Sequence, residues 1–326
     1  MIMKKTRSEI IFGFVALMTT VIWGLSGISE FACGQSPVAI TIDDVPNTGK
    51  SLKENFRSKL LDQLDSLNIP VTIFITEGLL YKGDSTDRNF ELVHNWMKRS
   101  YITIGYHSSR HSRYSEVGLD SFKIDCEHGE QVVRQLAQKH GKSVDYFRLP
   151  YNDLGKDSLQ HIEIEKYLSS RKFRIAPFTV ESADWMFNYI YEYYLGKNDQ
   201  VKARETASDY IVKTLEYFDY FDSLALKIYG RPISQVYLCH DSRLNTDYLP
   251  VLVNELKKKN HIFIGFGDAL QDVVYQQEDK YYMKWGISWI YRWMNNKEEI
   301  NFYSKHEPQD DSYDLYKKLL QEKKKE

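Results

Sequence analysis

The sequence predicts an α/β fold in which parallel strands and helical crossovers form a closed or nearly closed (β/α) barrel. Three observations lead there. Seven short β-branched or aromatic runs alternate with amphipathic stretches along the 326 residues, the pattern of βαβ units. Polar clusters follow five of those runs, as residues leaving the C-terminal ends of barrel strands do. No glycine-rich phosphate loop follows any run, so the open doubly wound sheet, the alternative, lacks its usual nucleotide-binding support.

The first run, Ala39-Ile40-Thr41-Ile42, ends in Asp43-Asp44-Val45-Pro46. Leu52, Phe56, Leu60, Leu61, Leu64 and Leu67 then recur at helical spacing, and Asn68-Ile69-Pro70 stops that helix. Val71–Ile75 reads as a buried strand, Leu92 to Met97 as a helix, and Tyr101–Ile104 as the third strand. A helix around Val132 and Leu136, the strand Tyr146-Phe147, a helix from Ile162 to Leu168 and the strand Phe173–Val180 follow. The stretch Met186–Gly230 breaks this rhythm. It is long and Tyr-rich, and Ala207, Tyr210, Ile211, Leu215, Phe218 and Leu224 fall roughly on one face. We read it as a helical insertion between the fifth and sixth strands, covering residues 186–234. The strand Gln235–Cys239, a helix from Tyr248 to Lys258 and the strand His261–Phe266 complete a barrel over residues 35–270. Residues 271–326 form a C-terminal extension, whose charged end from Lys317 to Glu326 reads as a solvated face.

The N-terminus lies outside this fold. Lys4, Lys5 and Arg7 precede an apolar run from Ile10 to Leu25 and then Ala32-Cys33-Gly34, the layout of a secretory signal peptide over residues 1–34 with Gln35 as mature start. Export to the periplasm or the extracellular space is the expectation, with no stable membrane span after cleavage. An uncleaved anchor is the alternative, since the run is near the short limit for a spanning helix. A lipid on Cys33 is a weaker one, because Glu30 and Phe31 suit such a site badly. Removal of the segment leaves Cys126 and Cys239, too few for a disulfide framework. Cys239 sits in an apolar run and reads as a buried thiol.

Composition narrows the partners. A net charge of −2 without a basic stripe argues against nucleic acid, and no nucleotide cofactor is expected. The 24 Tyr and 6 Trp suit sugar-stacking surfaces, although core tyrosines are the commoner explanation.

Asp43-Asp44 alone is most often a solvated turn, yet two crowded carboxylates call for a proton or a cation. His107 and His111 follow the third strand four residues apart, and one helical turn would put both imidazoles on one face, as metal ligands require. Ser108 stands where the metalloprotease helix carries its Glu, so a base must come from elsewhere. Asp44 can supply a third ligand and Asp43 the base. Arg148-Leu149-Pro150-Tyr151, Asp184-Trp185 and Leu238-Cys239-His240-Asp241 also sit just past strands. Each cluster has a bland explanation taken singly, but five converging on one barrel mouth do not.

In this order the motifs Thr41-Ile42-Asp43-Asp44, His107 to His111, Arg148 to Tyr151, Asp184-Trp185 and Leu238 to His240 resemble those of the polysaccharide deacetylases of carbohydrate esterase family four, the NodB-homology group. The resemblance covers roughly Val38 to Phe266. Gly286-Ile287-Ser288-Trp289 is similar, more weakly, to a subgroup of exported bacterial deacetylase-like proteins. The resemblance implies a distorted seven-stranded (β/α) barrel and one divalent ion, Zn2+ in the usual case, on Asp44, His107 and His111. It implies Asp43 as base oriented by Arg148, and His240 as acid paired with Asp184. Tyr151 would offer its backbone N–H to the oxyanion, with Trp185 and Leu238 walling an acetyl pocket. Val45 replaces the usual glycine. Glu181 stands where an Asp is common, which puts its link to Arg148 in doubt. The expected activity is removal of N- or O-acetyl groups from a carbohydrate. The alternatives are a related hydrolase of a small non-peptide C–N bond and a retired carbohydrate-binding protein.

Overall fold

The strands are β1 (Ser36–Val45), β2 (Val71–Ile75), β3 (Ile102–Tyr106), β4 (Val144–Phe147), β5 (Arg174–Ile175), β6 (Val180–Glu181), β7 (Gln235–His240) and β8 (His261–Phe263). This computed structural model describes residues 35–83, 85–309 and 312–324. The signal peptide expected over residues 1–34, and Cys33 with it, lies outside the described residues. Among them no helix is long and apolar enough to cross a membrane.

Every strand pairing is parallel, in the order β5-β4-β3-β2-β1-β7-β6, with β8 beside the start of β1. β5 and β6 lie at opposite edges of that order, yet only four residues separate them in the chain. The expected fifth strand Phe173–Val180 is therefore two short pieces, one on β4 and one on β7. Pro177 explains the break, because it has no N–H to give a ladder. The segment still bridges the two edges: Ala176 N–H donates to the Phe147 carbonyl, and Thr179 N–H to that of Val236. With β5 and β6 counted as one interrupted strand, seven parallel strands curl into a partial barrel surrounded by helices. The C-terminal extension covers the interruption. Ser288 Oγ donates to the Thr179 carbonyl at 2.7 Å, and Trp289 N–H to that of Phe178.

The central strands are buried on both faces, as parallel sheets under helices require; Val38, Ile40, Ile42, Ile73 and Ile104 are all enclosed. The helix expected from Leu52 to Leu67 is instead two, Thr48–Lys53 and Lys59–Leu67. Asn55 and Phe56 take positive φ between them, and Leu52 faces solvent. The insertion forms the helices Asp184–Gly196 and Gln200–Tyr229, the second capped by the Asp199 carboxylate and stopped by Gly230 at φ 69°. Ala207, Tyr210, Phe218 and Leu224 are buried along it, as the spacing predicts. The C-terminal end is not a free solvated face. The helix Ser312–Lys323 docks on Asp184–Gly196, burying Leu319 against Met186 and Ile190. Cys126 and Cys239 are both buried and unpaired.

Candidate active site

The acidic pair lies at the end of β1, where simple alternation would send Asp43 and Asp44 to opposite faces. The strand does not fray there; it runs on to Val45. Instead the register slips: Ile42 pairs with Ile73 but Val45 with Ile75, three steps on β1 against two on β2. Asp44 occupies that bulge at φ 60°, and a bulge of this kind re-aims side chains. Thr76 Oγ1 then donates to Asp44 Oδ1 at 2.9 Å.

The loop after β3 carries His107 and His111. No helical turn forms; Ser108 and His111 take positive φ of 65° and 56°. The loop is held by the Asp125 carboxylate, which accepts N–H groups from Ser109, Arg110 and Ser112. Ser109 Oγ anchors it further on Glu77 at 2.6 Å. The ring centroids of His107 and His111 end 4.9 Å apart. His107 Nδ1 faces the Arg148 carbonyl oxygen at 2.6 Å. A carbonyl accepts only, so Nδ1 carries a proton and Nε2 is the ring atom turned toward the carboxylates. One ligand atom each from Asp44, His107 and His111 lies within 4.8 Å of the other two.

The donor chemistry suits a divalent cation. Burial, and then the neighbouring His107, push the His111 pKa down to about 4, so its imidazole is neutral at ordinary pH. Burial works to raise the pKa of Asp44, but the surrounding histidines and the Thr76 hydrogen bond outweigh it and hold the carboxyl below its usual range. Two imidazoles and a carboxylate form a three-residue set that leaves open positions for water and substrate.

Asp43 is divided between two neighbours. Its Oδ1 accepts from Arg148 Nη1 at 2.9 Å, and its Oδ2 lies 3.9 Å from His107 Nε2. Arg148 is wholly enclosed and also donates to Thr41 Oγ1 and the Pro177 carbonyl. Its guanidinium sits 4.3 Å over the Phe74 ring, whose place Gly105 keeps open; a Cβ there would approach that ring to 2.4 Å. The doubtful link from Arg148 to Glu181 is not among these bonds. The Pro177 carbonyl takes that side, and Glu181 accepts the Ala183 N–H instead.

His240 is aligned with Asp43 across the β1–β7 ladder. Its Nδ1 meets Asp184 Oδ1 at 2.7 Å, and its backbone N–H donates to Asp184 Oδ2 at 2.8 Å. Burial opposes the imidazolium, but the Asp184 charge and hydrogen bond prevail and raise the His240 pKa to about 10. Asn245 Nδ2 also donates to Asp184 Oδ2, at 2.6 Å, and Tyr210 of the insertion donates to Asn245 Oδ1 at 2.7 Å.

Tyr151 adopts φ 59°; its ring packs on His111 with centroids 4.7 Å apart and under Arg113 at 4.1 Å. Leu238 is buried on β7. Trp185 is half-exposed, its ring edge-to-face with Tyr316 of the C-terminal helix. A cleft of about 800 Å³ opens beside Asp44 and His111, lined also by Phe56, Leu79 and Arg110. Sequence reasoning missed Thr76, Asp125, Asn245 and Tyr210. Thr76 had a usable signal in its place directly after a β-branched strand; Asp125, Asn245 and Tyr210 act from helices and belong to no motif.

Compared with known families, residues 33–167 match the one described as polysaccharide deacetylase. No curated protein matches. Among solved structures, the chain is similar to the peptidoglycan N-acetylglucosamine deacetylase Bc1960, at 20% identity over 73% of this chain and 89% of that one, with a TM-score of 0.48. It is similar to Bacillus subtilis PdaA, a family 4 carbohydrate esterase, at 18% identity over 73% and 81%, TM-score 0.47. It is similar, too, to Bacillus anthracis BA3943, a pseudoenzyme of the same esterase family, at 14% identity over 70% and 64%, TM-score 0.46.

Proposed function

We propose, proceeding from the membership of residues 33–167 in the polysaccharide deacetylase family, that the protein is an exported hydrolase that removes N- or O-acetyl groups from a carbohydrate with the aid of one divalent cation. The observation that carries this reading is the Asp44, His107 and His111 cluster, flanked by an Arg-held carboxylate on one side and an Asp-held imidazole on the other. Asp44, His107 and His111 would hold the cation, Zn2+ being the favoured ion for an N and O donor set. Bound there, it would polarise the acetyl carbonyl and lower the pKa of a water.

The remaining chemistry belongs to the chain. Arg148 fixes Oδ1 of Asp43, leaving Oδ2 toward the His107 side as the atom that takes the proton from the attacking water. His240 keeps Nδ1 on Asp184, so Nε2–H is the proton given to the departing nitrogen or oxygen. The Tyr151 N–H would donate to the oxyanion, a term that typically contributes about 10²–10³-fold. Trp185 and Leu238 would bound the acetyl group. Export is read from the basic and apolar order of residues 4–34.

The test is metal content measured beside acetate release. An asparagine keeps the shape of Asp43 but cannot take a proton, so Asp43→Asn should retain the metal while kcat collapses. Asp44→Asn should lose metal first. If Asp43→Asn loses the metal and Asp44→Asn keeps it, the division of roles is reversed.

A further inference from the structure

A second cleft, of about 590 Å³, lies in the C-terminal extension, between the segment 280–287 and the helix Lys297–Ser304. Its walls combine flat aromatic faces with hydrogen-bonding groups. Trp285 is 53% exposed and Tyr282 and Met283 are each 39% exposed, an unusual concentration of large apolar side chains in water. Asn301 and Lys297 line the same cleft. Glu307 is also there; burial raises its pKa above the usual carboxylate range, and the Tyr291 hydroxyl is its hydrogen-bond neighbour.

This cleft is tied to the active site by direct packing. A Cβ on Gly286 would come within 2.3 Å of the Tyr151 carbonyl oxygen, so the residue after Trp285 lies against the backbone of Tyr151. The Tyr151 ring in turn touches His111. Trp285 is thus separated from His111 by Gly286 and Tyr151 alone along this line of contacts. Lys284, 4.9 Å over the indole, braces that ring.

We propose that the Tyr282 and Trp285 cleft is a subsite for further sugar units of the same glycan chain, binding uncharged β-linked pyranoses by stacking on the aromatics and hydrogen bonding to Asn301 and Glu307. The inference rests on the carbohydrate deacetylase reading. Pyranose rings with equatorial substituents present flat C–H faces and a rim of hydroxyls, which matches aromatic walls edged by amide and carboxyl groups. A peptide helix would need a deeper unbroken apolar stripe.

The experiment is calorimetric titration of the full chain carrying Asp43→Asn, which prevents turnover, with penta-N-acetylchitopentaose and with cellopentaose. Trp285→Ala, at an exposed position, should weaken one or both pentamers about 10-fold, the loss of roughly one aromatic contact. Tyr282→Ala should do so independently. Affinity unchanged in both variants, or no binding of either pentamer at millimolar concentration, overturns the subsite. Displacement of bound pentamer by dodecanoate from the cleft, with tighter binding of the acyl chain than of either glycan, overturns it in favour of a lipid site. If the wild type releases no acetate from any glycan yet Trp285→Ala still loses pentamer binding, the deacetylase reading falls and the subsite stands.

Discussion

At the scale of single residues the site depends on placing protons. His240 would be half charged near pH 6.5 if free; the Asp184 carboxylate outweighs burial and moves that point to about 10. The sign follows from the raised value. The ion pair's contribution to folding is complete below the unfolded pKa and fades as pH rises through about 10. As an acid, His240 should keep its proton across the neutral range, so kcat should lose its alkaline limb only near that upper value. Asp184→Asn should draw the limb down toward the ordinary histidine range, and His240→Ala should remove it and cost about 10²–10⁴-fold in turnover. A pH–rate profile of the three proteins checks this; a limb that stays in place in Asp184→Asn assigns the proton to another group. His107 shows a different arrangement, with Nδ1 committed to a carbonyl and Nε2 turned toward the carboxylates.

Elements decide whether those residues meet. The insertion helix Gln200–Tyr229 adds more than bulk beside the barrel, since its Tyr210 bonds Asn245, which bonds Asp184, which holds His240. Tyr210 and Tyr237, whose hydroxyls lie 2.9 Å apart, stay neutral, burial pushing both well up, so the links leading to Asp184 are fixed dipoles. Asn245→Ala should therefore lower kcat by about 10-fold, with KM and metal content unchanged, as outer-shell partners typically do. Tyr210→Phe should show a smaller loss of the same kind. Equal loss of metal and activity would instead mean that the helix supports the fold alone.

At the scale of the molecule, the extension packs on the chain before and after β6. Its Ser288 and Trp289 stitch the strand interrupted at Pro177, and its last helix seats Leu319, 3% exposed, on the helix that starts with Asp184. Leu319→Ala should cost about 2–3 kcal/mol of stability through the cavity it leaves, measurable by urea denaturation. Unchanged stability would show that the helix Ser312–Lys323 contributes no packing to the rest.

The sequence by itself determined the alternation of strands and helices, the helical insertion and the acidic and imidazole clusters, because hydrophobic period and the chemistry of short motifs are local. It did not reveal how Asp43 and Asp44 come to one side; that is decided by a bulge against β2, set by pairing with a strand some thirty residues on. It suggested a helical turn for His107 and His111, where the observed loop depends on Asp125 from the helix Tyr114–Gln138. Asn245 and Tyr210 carry no motif at all. Asn245 lies only five residues past His240, but its partners Asp184 and Tyr210 are 61 and 35 residues away, and such a side-chain hydrogen bond requires a few ångströms in space and leaves no spacing in the chain.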